Sequence, residues 1–190
     1  VQCNLLAVPG VTNTGITNHV LNVAESRRDT LGIIDLEGGF LPATENTNGD
    51  SNTANRGDVD TTISSLKSRG INSSYGAAYY PWVQVKDPDS GASLWAPPSI
   101  VGLGTIAFSE RKSELWYAPA GFSRGGLTDG AGGLPVTGVR QKLTSLERDK
   151  LYEAGVNPIG SLPAEGIVIF GQKTLQTVPS ALDRINVRRL

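Results

Sequence analysis

Short apolar blocks and stretches with a three-to-four-residue apolar rhythm alternate along the chain, separated by glycine, proline and asparagine. Asn4-Leu5-Leu6-Ala7-Val8 is stopped by Pro9-Gly10, and Leu31-Gly32-Ile33-Ile34-Asp35-Leu36 by Gly38-Gly39, so both are predicted to be buried strands. Between them Ile16, Val20, Val23 and Ala24 follow the spacing of one helical stripe. Thr12 or Asn13 is placed to accept the first free backbone N–H groups. Strand, helix and strand at this spacing predict a parallel βαβ unit with the helix over one sheet face.

Residues 42–57 are almost wholly small and polar. Ordering them would cost conformational entropy with little apolar burial in return, which predicts a flexible surface loop. Asp58 then caps a helix through Lys67, with Val59, Ile63 and Leu66 on one face and Gly70 ending it in the left-handed conformation. A third strand is expected over residues 76–85. The turn Asp87-Pro88-Asp89-Ser90-Gly91 should return Leu94-Trp95-Ala96 antiparallel as a hairpin arm. Pro98 suits a first helical turn, and Ile100, Val101, Leu103, Gly104 and Ile106 make the helix that follows apolar enough to be mostly buried.

Residues 121–138, rich in glycine, read as an extended loop. Thr144-Ser145-Leu146-Glu147 matches a capping box, opening a helix that ends at Ala154 before Gly155. Gly166-Ile167-Val168-Ile169-Phe170-Gly171 reads as a β-branched strand, and residues 185–190 as a last one. The expected fold class is therefore α/β: a mixed, mostly parallel sheet flanked by helices, with a long polar loop and a Gly-rich loop. All 190 residues are expected to form one compact domain.

Composition narrows the chemistry. Lys+Arg 17 against Asp+Glu 18 leaves a net charge of −1, which gives no global field for nucleic acid or an acidic membrane. No apolar run approaches the roughly 20 residues of a membrane span. The single Cys3 excludes an internal disulfide framework and reads as a small apolar residue. With no methionine anywhere and a start at Val1 inside an apparent strand, the chain reads as a piece of a longer protein.

Candidate chemistry lacks partners. The sole His19 lies beside the first helical stripe and reads as a solvent-exposed or capping residue rather than a catalytic one. Residues 9–15 sit where phosphate loops sit, between a strand and a helix, yet lack both the lysine-serine/threonine ending and the three-glycine dinucleotide spacing. Asp35 and Glu37 are an imaginable acid/base or Mg²⁺ pair, but read more simply as caps at the solvent edge of a strand. Tyr79, Tyr80, Trp82, Trp95, Trp116 and Tyr117 are either a stacking platform or large core and interface residues. Arg188-Arg189 is a solvated edge in isolation and half of an intersubunit ion pair in an assembly. No catalytic residue, cofactor site or metal site is assigned.

Several Pro-Gly-aromatic segments occur in a telling order: Tyr80-Pro81-Trp82, Asp87-Pro88 with Gly91, Ala96-Pro97-Pro98-Ser99, Trp116-Tyr117-Ala118-Pro119-Ala120-Gly121, Gly155-Val156-Asn157-Pro158-Ile159, the Gly166 to Gly171 block and Asn186-Val187-Arg188-Arg189. Together, over residues 75–190, they resemble contractile tail sheath proteins of bacteriophages, and Val8-Pro9-Gly10-Val11 is similar to that family's N-terminal portion. Where relatives carry an Arg-Thr-Asp-like turn, this chain reads Phe108-Ser109-Glu110-Arg111-Lys112-Ser113.

The resemblance implies a structural, non-enzymatic subunit. Such a subunit stacks in hexameric rings around an inner tail tube, meets a baseplate, and contracts to drive the tube through the host envelope. It implies location in the virion after synthesis in the host cytoplasm, and a chain lacking the N- and C-terminal arms, monomeric on its own. The family-motif positions expected to shape the scaffold are Pro81, Trp82, Pro97, Pro98, Ala118, Pro119, Gly121, Asn157, Gly171, Asn186, Arg188 and Arg189. Two other readings stay open: a receptor- or carbohydrate-binding virion domain using the aromatics, and a nucleotide-binding α/β enzyme using residues 9–15 and Asp35.

Overall fold

A computed structural model describes residues 3–37 and 58–190. The polar stretch 42–57 and the Gly38-Gly39 stop lie outside the described residues.

The chain opens as the apolar blocks require. Strand β1 (Leu5–Ala7) leads into helix α1 (Thr14–Arg27) and returns in β2 (Leu31–Ile34), which lies parallel to β1 with Leu31 opposite Leu5. Asn13 is the cap, its Oδ1 accepting from Gly15 N at 2.9 Å and Ile16 N at 3.3 Å. The buried stripe of α1 is Thr17, Val20, Leu21 and Ala24, which corrects the expected one: Ile16 is 47% exposed. Thr17 takes the inner position at low cost because its hydroxyl donates to Asn13 O at 3.0 Å and accepts from Arg69 Nη2 at 2.8 Å. Leu21 then packs over Gly76, where a Cβ would stand 2.5 Å from Leu21 Cδ2.

Helix α2 (Val59–Ser68) starts at Asp58 and buries Val59, Thr62, Ile63 and Leu66, and Gly70 follows at φ 61°. The apolar run 76–85, expected as one strand, is two: β3 (Gly76–Tyr80) and β4 (Val83–Lys86) belong to different sheets. Pro81 has no N–H to continue a ladder, and the run breaks there. The hairpin arm forms β5 (Ser93–Ala96), antiparallel to β4, but joins β4 and β6 (Val136–Val139) in a separate three-stranded sheet of order β5-β4-β6.

Helix α3 (Pro98–Lys112) and the box-capped α4 (Ser145–Glu153) follow the pattern. In α4, Thr144 N donates to Glu147 Oε2 at 2.7 Å and Glu147 N to Thr144 Oγ1 at 3.3 Å. Two further strands, β7 (Val156–Leu162) and β8 (Gly166–Ile169), complete a main sheet of order β1-β2-β3-β7-β8, parallel from β1 to β7 with β8 antiparallel. The sheet is mixed and mostly parallel as expected, through β8 rather than through the hairpin. Pro158 is tolerated in β7 because it stands opposite Tyr80, the last residue of β3.

Residues 185–190, expected as a strand, form instead the short helix α5 (Ile185–Arg188) after a 3₁₀ turn at Ala181–Asp183. The alternation of Ile185 and Val187 misleads because only Ile185 is fully buried. Its N–H donates to Gln172 O at 2.8 Å, and Arg189 N closes a helical turn onto Ile185 O at 3.1 Å.

The main sheet separates two apolar layers. Because β3 is buried on both faces, its alternation sends Ala77 and Tyr79 to one layer and Ala78 and Tyr80 to the other. The first layer holds Val101 and Ile106 of α3 together with Val83, Val85, Ala96 and Val136 of the small sheet. The second holds Val20 and Leu21 of α1, Val59, Ile63 and Leu66 of α2, and Leu151 of α4.

Candidate functional site

The strand end where chemistry was most conceivable is a structural junction. Asp35 follows β2 and is fully buried. Its Oδ2 accepts from Gly10 N at 2.8 Å and Ser99 Oγ at 2.7 Å, and its Oδ1 from Ser99 N at 3.0 Å. Pro97, the residue preceding α3, makes no side-chain capping bond, so the carboxylate reaching across from β2 satisfies the start of α3 in its place. Burial pushes the Asp35 carboxyl above its ordinary range, against the pull of the donors from Ser99 and Gly10.

This corrects the expectation that Asp35 and Glu37 both cap a solvent edge: Asp35 turns inward, while Glu37 is exposed. The same contact bears on the phosphate-loop reading. The Gly10 amide is occupied by a carboxylate, and the Gly15 and Ile16 amides are taken by Asn13. His19 is exposed. Among the described residues no group of three His, Cys, Asp or Glu side chains is placed to hold a metal ion, and no helix is long and apolar enough to cross a membrane.

The family-motif positions do not converge on one pocket; they are joints spread through the scaffold. Pro81 and Trp82 are buried where β3 passes into β4, and Trp82 O accepts from Arg140 N at 2.8 Å. Pro97 and Pro98 open α3. Pro119 is buried beside half-buried Ala118, and Gly121, at φ 80°, donates its N–H to Ile169 O at 2.8 Å, fastening the Gly-rich segment to β8. Asn157 is fully buried in β7. Its Nδ2 donates to Ala78 O at 3.1 Å and Lys173 O at 2.9 Å, and its Oδ1 accepts from Lys173 N at 2.6 Å.

Gly171 is required beside it, since a Cβ there would lie 2.7 Å from Asn157 Oδ1. Asn186 donates to Trp116 O at 2.8 Å, Arg188 stacks 3.7 Å from the Tyr75 ring centroid, and Arg189 meets Glu110 at 2.7 Å with its own side chain only 8% exposed. Within this chain, then, the Arg189 side chain is tucked in and paired with the exposed Glu110 rather than standing on a solvated edge. Sequence reasoning missed the Asp35–Ser99 junction. Its signal was an acidic residue closing an apolar strand, together with a Pro-Pro-Ser helix start that has no capping side chain of its own.

The aromatics divide. Tyr79, Tyr80 and Trp82 are core residues, and Tyr80, whose hydroxyl donates to Gln141 Oε1 at 2.7 Å, is pushed up to about 12 mainly by burial. Trp95, Trp116 and Tyr117 are 36%, 55% and 43% exposed, with Arg124 4.2 Å over the Tyr117 ring. A platform of all six therefore does not exist. A cleft of about 420 Å³ beside α2 is lined by Leu66, Ile71, Leu175, Lys67, Glu153 and Lys173 among others, a mixed set without a nucleophile facing a base.

No protein-family model matches the chain. It is 28% identical to the tail sheath protein of Enterobacteria phage T4 over 181 residues, which is 94% of this chain and 26% of that protein. It is 36% identical to the tail sheath protein of Vibrio phage KVP40 over 104 residues, 55% of this chain and 15% of that one. The chain thus spans about a quarter or less of the length of these curated relatives.

Among solved structures, the fold matches the sheath complex of an extracellular contractile injection system (PVC) in its contracted state. The TM-score is 0.70 at 20% identity, covering 100% of this chain and 44% of that one. It also matches the helical sheath of the anti-feeding prophage (AFP) in its contracted state, with TM-score 0.62 at 24% identity over 98% of this chain and 42% of that one. The fold is that of contractile sheath subunits, and the chain is homologous to part of the tail sheath proteins of bacteriophages.

Proposed function

We propose that this chain is the rigid core of a structural subunit of a contractile tail sheath. The subunit polymerises in stacked hexameric rings around an inner tail tube, is anchored at a baseplate, and contracts to drive the tube through a host envelope. It acts in the virion tail and does no chemistry. The observation that carries this reading is the alignment with a phage tail sheath protein over 94% of the chain. The roles of the motif residues Asn157, Asn186 and Arg189 support it, each engaged in holding elements of the same chain together, as is Asp35 outside the motif. A body that must exchange one set of neighbours for another during contraction needs internal stiffness and contacts that can switch between two packings. Alone and dilute, the chain is monomeric.

Electron microscopy of the full-length protein that contains this chain, concentrated in the presence of polymerisation-promoting salt, tests the reading. Hollow tubes or stacked rings are expected; dispersed particles at every concentration would contradict it.

A further inference from the structure

Helix α3 carries two hydroxyls that behave unlike others in the helices of this chain. Thr17, Ser26, Ser64 and Ser68 each donate to a backbone carbonyl three or four residues back, at 2.7–3.0 Å. Thr105 Oγ1 and Ser109 Oγ make no such bond and meet no other protein partner among the described residues, although Thr105 is fully buried and Ser109 only 3% exposed. Taking a hydroxyl out of water without a partner costs stability. Two of them, one turn apart on the same helix face, point to a shared partner that is not a protein group.

A third hydroxyl approaches from the sheet. Tyr79 of β3 is 1% exposed, and its ring lies against α3: a Cβ on Gly102 would stand 2.6 Å from Cε2 and 3.1 Å from Cζ. Gly102, Thr105 and Ser109 are all on the buried side of α3, at spacings of three and four residues that stack them along one seam. The charge of Arg189, which pairs with Glu110 beside Ser109, acts on this phenol, which sets the hydroxyl toward the Thr105 and Ser109 end of the seam. Tyr80 next to it donates to Gln141, whereas the Tyr79 hydroxyl has no protein hydrogen-bond partner among the described residues.

Ile33, Ala77, Val101 and Ile106 make the surrounding layer apolar. Aliphatic walls supply no counter-charge for an ion. A small neutral molecule that both donates and accepts suits hydroxyls that can each do either.

We propose that Tyr79, Thr105 and Ser109 hold an ordered internal water between β3 and α3. Its two protons and two lone pairs serve the three hydroxyls at once and tie the helix to the middle strand of the main sheet. The inference concerns the interior of the chain and stands apart from the sheath reading.

High-resolution density for the full-length protein that contains this chain gives the direct test. A peak about 2.7–3.2 Å from at least two of the three hydroxyls is expected. Near-isosteric variants give the energetic test, and Tyr79→Phe keeps the ring on Gly102. Thr105→Val, Ser109→Ala and Tyr79→Phe should each lower the melting temperature by about 2 °C. Tyr79→Phe combined with Thr105→Val should lower it by less than the sum, because the first change already releases the water that the second would lose. Hydroxyls without any partner predict the opposite sign: Thr105→Val would then remove a buried polar group with no bond to lose, and the melting temperature would rise. Absence of density at the seam, a rise on Thr105→Val, or fully additive losses in the double variant would each overturn the proposal.

Discussion

Asp35 and Ser99, 64 positions apart, are joined by two hydrogen bonds, Ser99 N to Oδ1 at 3.0 Å and Ser99 Oγ to Oδ2 at 2.7 Å, at a point fully shielded from water. With the Gly10 amide on the same carboxylate, one side chain fixes the β1–α1 turn, the end of β2 and the start of α3. Replacing it with alanine strands two backbone N–H groups and a hydroxyl. Asp35→Ala is expected to cost about 3 kcal/mol of stability, read as a lowered denaturation midpoint at unchanged slope.

The pH dependence of that junction has a definite sign. Burial raises the folded-state pKa of Asp35 above its ordinary 3.8, so between that value and the raised one the folded protein binds more protons than the unfolded chain. The contribution of Asp35 therefore falls as pH rises through this window and is flat above it. The melting-temperature gap between the wild type and Asp35→Asn should shrink with rising pH from about 4 and then become constant. A gap that widens over that range would reverse the assignment.

Asn157 ties β3, through Ala78 O, to the segment at Lys173, through both its carbonyl and its amide. Asn157→Leu leaves those buried backbone groups unpaired and is expected to cost about 3 kcal/mol. Gly171→Ala crowds the same side chain, so both variants should speed amide hydrogen exchange around residues 171–175 before they affect α4.

Two glycines separate packing from backbone strain. A Cβ on Gly104 of α3 would stand 2.0 Å from Gly132 O, a backbone atom that cannot swing aside, whereas a Cβ on Gly121 meets nothing but would sit at φ 80°. Gly104→Ala should lose about 3 kcal/mol and loosen the 130–133 segment from the helix. Gly121→Ala should lose only about 1 kcal/mol. Equilibrium denaturation of the pair checks the order.

Saturating nucleotide with Mg²⁺ should leave the melting temperature unchanged, because the amides a phosphate would use at the start of α1 are already occupied by Asp35 and Asn13. A rise of several degrees would revive the nucleotide reading.

Local signals in the sequence carried most of the fold. Asn13, Asp58 and the Thr144–Glu147 box begin their helices where cap chemistry requires, and β1, β2 and β8 are dense apolar runs. What failed was non-local or ambiguous in period. The 76–85 run is apolar on both sides of Pro81, so pattern alone does not reveal that it changes sheets. β6 lies within a glycine-rich segment, β7 carries Pro158, and the Ile185–Val187 alternation serves a short helix as well as a strand. At the site, the motif positions were legible only as a family pattern. That Asp35 caps α3 depends on a contact across 64 residues, which no local window contains.

The central claim is that these residues form a rigid body whose external contacts change while its interior does not. Cryo-electron microscopy of sheath tubes built from this protein, in extended and contracted states, tests it most directly. The account predicts that the five-stranded sheet with α1 to α4 superposes between the two states, with the Asp35–Ser99 and Asn157–Lys173 bonds intact, while the contacts between copies exchange. A change of strand register or a break of either junction on contraction would contradict it.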